Sequence, residues 1–262
     1  MDSIIPPGRP PVGEPDLYLP PEVIPNLDEL VTEDGKPVDN VYVERAYRLL
    51  TEPLYASWKG PGEGGPFIAT ANVGWFYALK QPPLVPDVLL SLDVTPYADP
   101  LEKKGRSYFQ WLYDKPPDVV IEIVSDKRGD EEGYKMDKYA RLKLQYYVIH
   151  DPSDILEHGI LRAFSLDGKR YRPTDPKWLP DVELGLTLWQ GLFQGLEQTW
   201  LRWCDKSGAV LPTGMERAAK AEKARKASER ARKTASKARD RAREEAARLR
   251  EKLRELGVDP DA

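Results

Sequence analysis

The chain has 262 residues, with 39 Lys or Arg against 43 Asp or Glu and a single cysteine, Cys204. One cysteine excludes an intrachain disulfide and points to a reducing compartment. No apolar run reaches the roughly 18–20 residues that a bilayer crossing needs, and the start, MDSIIPPGRPP, lacks the basic-then-apolar order of a secretory signal. The expected setting is therefore cytoplasmic, without a membrane partner. The net charge of −4 conceals an uneven distribution: Glu216 to Glu255 carries 16 basic and 8 acidic residues, which leaves 23 and 35 for the remainder. An acidic body is not drawn to nucleic acid by its mean field, so such contact would need the basic segment, a local patch or a bound cation.

Residues 1–38 hold nine prolines and read as an extended leader, not a packed domain. Asp39 and Asn40 offer caps for a helix through about Thr51, with Val43, Ala46, Tyr47 and Leu50 at helical spacing and Pro53 ending or kinking it. After the loop KGPGEGGP, Phe67 to Thr70 and Val73 to Leu79 read as strands, as one hairpin or a bulged pair. The run PPLVPDVLL, Pro82 to Leu90, is a further strand with Asp87 in it. A polar connection of about 20 residues follows, long enough to suggest a covering or functional role. It carries Tyr108, Phe109, Trp111 and Tyr113.

The next segment, PDVVIEIVS from Pro117 to Ser125, is a β-branched run that predicts a fully buried strand. Asp130 then caps a helix through Leu144, and Gln145 to His150 is a short buried strand. Ile160 to Leu166 and Arg170 to Arg172 form a hairpin around Asp167-Gly168, and Leu184 to Trp189, Trp200 to Cys204 and Ala209 to Leu211 add strand material. Together, residues 39–214 predict one α/β domain. Residues 215–258 change character into an Ala/Lys/Arg/Glu-rich helical, coiled-coil-like tail. Alanine or leucine recurs at 224, 227, 231, 235, 238, 242, 246, 249, 253 and 256, an 11-residue pattern that favours a straight or slightly right-handed assembly. An alanine seam buries little area, so self-association through it is expected to be weak. Gly257 ends the pattern.

Two acids break otherwise apolar strands, Asp87 and Glu122. A lone buried carboxylate costs several kcal/mol or neutralises, so Glu122 requires either a cationic partner, for which Lys135 is the candidate, or a polar cleft holding a metal. Asp87 could equally start a strand or accept loop N–H groups, and Lys135 could be a solvated helix charge. Glu44 reads as a surface acid. His150 and His158 are too few and too far apart for a zinc site. Trp75, Trp111, Trp189, Trp200 and Trp203 read as core, with base stacking as the other role open to Trp111.

In order, VPDVLLSLDV, PPDVVIEIVS, GYKMDKYA and QYYVIHDP, with DGKPVDN before them and WLRWCD and the Ala-rich tail after, make the chain resemble the Uma-two family. That family is placed among the restriction-endonuclease-like PD-(D/E)xK nucleases. The resemblance implies a central mixed sheet flanked by helices, plus the long C-terminal helix. It also implies an Mg²⁺-dependent endonuclease, with Mn²⁺ as a substitute ion and nucleic acid as partner, DNA ahead of RNA. In this reading Asp87, Glu122 and the carbonyl of Ile123 hold the metal. The lysine found two residues after the second acid in most of the superfamily is Val124 here, and the closer family places it on the following helix, at Lys135 with Tyr139 one turn on. Lys138 is the neighbouring alternative. The competing reading is an inactive nuclease-fold scaffold that assembles through its tail.

Overall fold

The computed structural model describes residues 40–62, 64–125 and 130–255; the proline-rich leader and Gly257 lie outside them. In chain order the elements are α1 (Val41–Ser57), β1 (Phe67–Ala71), β2 (Trp75–Phe76), β3 (Val88–Leu92), β4 (Tyr108–Phe109), α2 (Gln110–Tyr113), β5 (Val119–Ile123), α3 (Met136–Arg141), β6 (Tyr146–His150), β7 (Leu161–Asp167), β8 (Arg170–Thr174), β9 (Gly185–Phe193), β10 (Leu196–Cys204) and α4 (Gly214–Glu255). Six strands form a mixed sheet in the order β1-β3-β5-β6-β7-β8. Only β5 and β6 run parallel; the other neighbours are antiparallel.

Every residue of β3, β5 and β6 is buried, which is why these segments read as near-continuous apolar runs instead of alternating ones. The period of two sorts their side chains onto two cores. Val119, Ile121 and Ile123 face α1 and the β9–β10 hairpin, whereas Val120 and Val124 face Tyr139, Tyr147 and Trp75. Glu122 falls on the second face by the same alternation.

Several local expectations are corrected. α1 runs through Pro53 to Ser57 because Leu49, Leu50 and Leu54 are all fully buried, and packing on both sides of the proline outweighs the lost hydrogen bond. β1 pairs with β3 and β2 with β4, so Phe67–Leu79 is not a hairpin. Trp75, Trp200 and Trp203 are core, but Trp111 is 44 % exposed and Trp189 is half-buried beneath the Arg202 guanidinium, 4.8 Å from its ring. Glu44 is at the surface, paired with Arg48.

The start of α4 is tied down by a capping box: Thr213 Oγ1 accepts from Glu216 N at 3.1 Å, and Glu216 Oε2 accepts from Thr213 N at 2.7 Å. The same carboxylate takes both arms of Arg202, at 2.9 and 2.7 Å. Arg202 is only 2 % exposed, so removing its counter-ion strands a buried charge. Glu216→Ala is expected to cost about 2 kcal/mol, the half-exposed carboxylate discounting the full buried-pair penalty. Urea unfolding of the full chain measures it.

Candidate active site

The strand pairing builds the site. Val88 stands against Ile121 and Leu89 against Val120, so one further step sets Asp87 opposite Glu122. Glu122 falls on the face that carries Leu89, Val120 and Tyr139, whereas Asp87 lies in a bend just before β3 and not inside a strand as expected, and its side chain meets Tyr47 of α1, a member of the other core. The Asp87 carboxylate caps the end of β5: Oδ2 accepts from Ile123 N at 2.6 Å, and Oδ1 accepts from the Tyr47 hydroxyl at 2.6 Å. Ile123 thus lies against Asp87 through its amide. Glu122 is 2 % exposed. Its Oε1 accepts from the Tyr139 hydroxyl at 2.6 Å and its Oε2 from Lys135 Nζ at 3.0 Å.

The helix that brings Lys135 and Tyr139 to the sheet begins in an unusual way. Asp130 adopts a left-handed backbone and its carboxylate accepts from Tyr134 N at 2.9 Å. Residues Glu131–Lys135 form a π-helical turn, with Lys135 N bonded to Asp130 O, five residues back, at 3.3 Å. Such turns recur at functional sites. A Cβ at Gly133 would lie 2.3 Å from Asp130 Oδ1, so a larger residue there must displace the capping carboxylate. Gly133→Ala is expected to break the cap, lower stability by about 1 kcal/mol and loosen Lys135. Thermal melting reads the first effect.

Two members of the cluster escape sequence reasoning. Glu131, 5 % exposed, places Oε1 at 3.1 Å from Lys135 Nζ, and its Oε2 is buried with no hydrogen-bond partner among the described residues. Two adjacent glutamates at a helix start read as dipole-compensating surface acids, and nothing in the pattern marks the first as buried. Tyr47 sits in the α1 packing stripe, and its spacing hides the hydroxyl that reaches Asp87. Lys138 is not part of the cluster; its ammonium lies 4.5 Å over the Tyr77 ring. Val124 is buried in the core, so Lys135 supplies the amine at Glu122. His150 is buried against the Tyr42 hydroxyl, 2.8 Å away, and His158 pairs with Glu132.

The electrostatics follow from burial. Desolvation pushes the Glu122 carboxyl up to about 7 and Asp87 pushes it the same way, while Lys135 and Tyr139 pull it back. Burial draws the Lys135 ammonium down, but the carboxylates of Glu122 and Glu131 outweigh it and hold the amine above its ordinary value. Lys135 therefore stays charged at neutral pH and acts as a donor, not as a base. Burial and the adjacent Glu122 keep the Tyr139 phenol protonated.

A mixed sheet with one acid inside a central strand, a second just before the neighbouring strand and a lysine at the start of the next helix is a restriction-endonuclease-like architecture. The chain belongs to the Uma2 family, described as "Putative restriction endonuclease", whose model matches residues 38–194. Among curated proteins no relative was found. No helix among the described residues is long and apolar enough to cross a membrane.

Proposed function

We propose that the protein is a divalent-metal-dependent endonuclease that hydrolyses phosphodiester bonds, with DNA as the favoured substrate. The observation that supports this reading is that Lys135 Nζ bonds Glu122 while Asp87 bonds the amide of Ile123, the next residue of β5. The donor set fits a hard cation. Mg²⁺ keeps several waters and needs only one or two carboxylates from the protein, so the absence of a cage of three His, Cys, Asp or Glu among the described residues is no obstacle. Asp87, Glu122 and the Ile123 carbonyl would hold the ion, and the orphaned Oε2 of Glu131 is a further oxygen. When bound, it would neutralise charge at the phosphate and acidify water.

The chain's own groups then have distinct tasks. Tyr139 and Tyr47 fix the two carboxylates through short hydrogen bonds, so neither has to reorganise during the reaction. Lys135, charged and clamped between Glu122 and Glu131, donates to an incoming water or to a non-bridging phosphate oxygen. The alternative of an inactive scaffold rests on Val124, the acidic body and the alanine seam, and an amine at Glu122 answers the first of these.

The test is plasmid and single-stranded DNA cleavage with Mg²⁺ or Mn²⁺ by the wild type and by Asp87→Ala, together with Mn²⁺-dependent melting. Binding to the folded state must raise the melting temperature. The wild type is expected to cleave and to gain stability with Mn²⁺, and Asp87→Ala to do neither. Equal cleavage by both would remove the site. Because Glu122 must release its proton to bind a cation and titrates near 7, Mn²⁺ affinity is expected to fall about tenfold per pH unit below 7. Titration calorimetry checks this without requiring activity.

A further inference from the structure

We propose that α4 is a double-stranded nucleic-acid-binding arm that lays one face along a groove and reaches the phosphates on both sides of it. α4 is one unbroken helix of 42 residues, about 63 Å at 1.5 Å per residue. From Ala224 on it is exposed along its described length. Its net charge of +8 is not spread evenly around it. At about 100° per residue, Arg225, Arg232, Arg239, Arg243 and Arg250 fall in a row roughly 40° wide. Lys223, Arg230, Lys237, Arg241 and Arg248 fall in a second row of similar width. Between them, about 90–110° from each, runs the uncharged seam of Ala224, Ala231, Ala235, Ala242 and Leu249. Most of the acids, Glu222, Glu229, Asp240, Glu244, Glu251 and Glu255, lie on the side opposite the seam. A helix stabilised only by its own ion pairs has no reason to segregate its charges in this way.

The pattern selects the occupant. A second copy of α4 on the seam would bring basic rows against basic rows, the reverse of the complementary flanks that pair helices. A protein partner would have to gain its affinity from apolar area, and alanines supply little of it. A lipid surface needs large apolar side chains on one face, and this face has almost none. Duplex nucleic acid needs neither, because phosphate neutralisation carries the affinity. The major groove of B-DNA, about 12 Å wide, admits a helix of about 10–12 Å diameter. Small seam residues let the backbone approach, and the two rows face the two phosphate walls. The arm also resolves the charge problem of the whole chain, since the acidic remainder would not approach DNA unaided. Although the inference deepens the nuclease reading, it does not depend on any cleavage chemistry.

The experiment is fluorescence anisotropy of a labelled 30-base-pair duplex with the full chain in EDTA, across a range of salt concentrations. It compares the wild type with a variant carrying Arg225→Gln, Arg232→Gln, Arg239→Gln and Arg250→Gln. Helix content is verified by circular dichroism. Four lost phosphate contacts are expected to reduce the slope of log affinity against log salt by about 3–4 and to weaken binding at low salt at least ~100-fold. Glu222→Gln with Glu251→Gln, on the opposite side, is expected to leave binding intact or tighten it. An unchanged slope in the fourfold variant would overturn the proposal. So would a wild type that ignores the duplex while sedimenting as a dimer, which would give the seam to a second copy. Binding is read in EDTA, where no metal-dependent cleavage can occur, so failure of the cleavage reading and failure of this one are separable.

Discussion

Glu122→Gln is expected to lose at least ~100-fold in metal-dependent cleavage, the scale on which losing metal-site groups acts, and still to melt higher than the wild type at pH 8. The two effects share a cause. A carboxyl that titrates near 7 when folded and near 4.5 when unfolded costs the folded state about 3 kcal/mol once ionised. Glutamine keeps an acceptor for Lys135 and turns its amide toward the Tyr139 oxygen, so about 2 kcal/mol of that cost is recovered. The sign can be checked against pH. The native state binds the extra proton between pH 4.5 and 7, so Glu122 makes stability fall as pH rises through that window, and above 7 its effect is constant. His150 acts oppositely. Burial lowers it to about 4, the unfolded chain binds the extra proton, and stability rises with pH from about 4 to its unfolded value of 6.5. In the wild type the two slopes offset one another across most of this range. In Glu122→Gln the His150 slope stands alone, so acid destabilisation between pH 6.5 and 4 is expected to steepen. Chemical denaturation at pH 4.5, 6.5 and 8 reads all three points.

The residues legible in the sequence were those that violate a pattern. Asp87 and Glu122 announce themselves because a charge inside an apolar run demands a reason, whereas Lys135 with Tyr139 is singled out by the family resemblance and not by the residue pattern alone. What the sequence hid was whatever obeys its local pattern while serving something distant. Glu131 looks like an ordinary acid in a first helical turn, and its burial depends on β5 and β6 lying beneath it. Tyr47 looks like one more apolar position of α1, and its hydroxyl bond spans 40 residues of chain. β2 and β4 are two residues each, too short for any periodicity to register. β9 alternates half-exposed and exposed positions from Thr187 on, and β10 starts with four half-exposed or exposed residues, so their pairing around Gln194-Gly195 leaves only a weak apolar signal. α1 continues past Pro53 to Ser57 because three buried leucines hold it on either side, which the backbone chemistry of proline alone does not reveal.

That hairpin carries the largest stability effect we expect. Trp203 on β10 is 1 % exposed, packs in the core with Leu50 and Leu54 of α1, and donates from its indole Nε1 to Leu50 O at 2.8 Å. Trp203→Ala removes one of the largest buried side chains, leaves a cavity between α1 and β10, and strips a partner from a carbonyl beside Pro53. A loss of about 3–5 kcal/mol is expected, against less than about 0.5 kcal/mol for Leu192→Ala on β9, where the side chain is 66 % exposed. Urea denaturation of the full chain distinguishes them. The comparison tests where the folding unit ends. The family match stops at residue 194, but Trp200, Leu201, Trp203 and Cys204 are all buried, and α1 owes much of its seat to them. Since α1 also carries the Tyr47 hydroxyl that fixes Asp87, a loosened Trp203 site should reach the carboxylates. Trp203→Ala is therefore expected to weaken Mn²⁺ binding below its melting temperature, whereas Leu192→Ala is not. Equal Mn²⁺ affinity in the two variants would mean that α1 holds its place without β10.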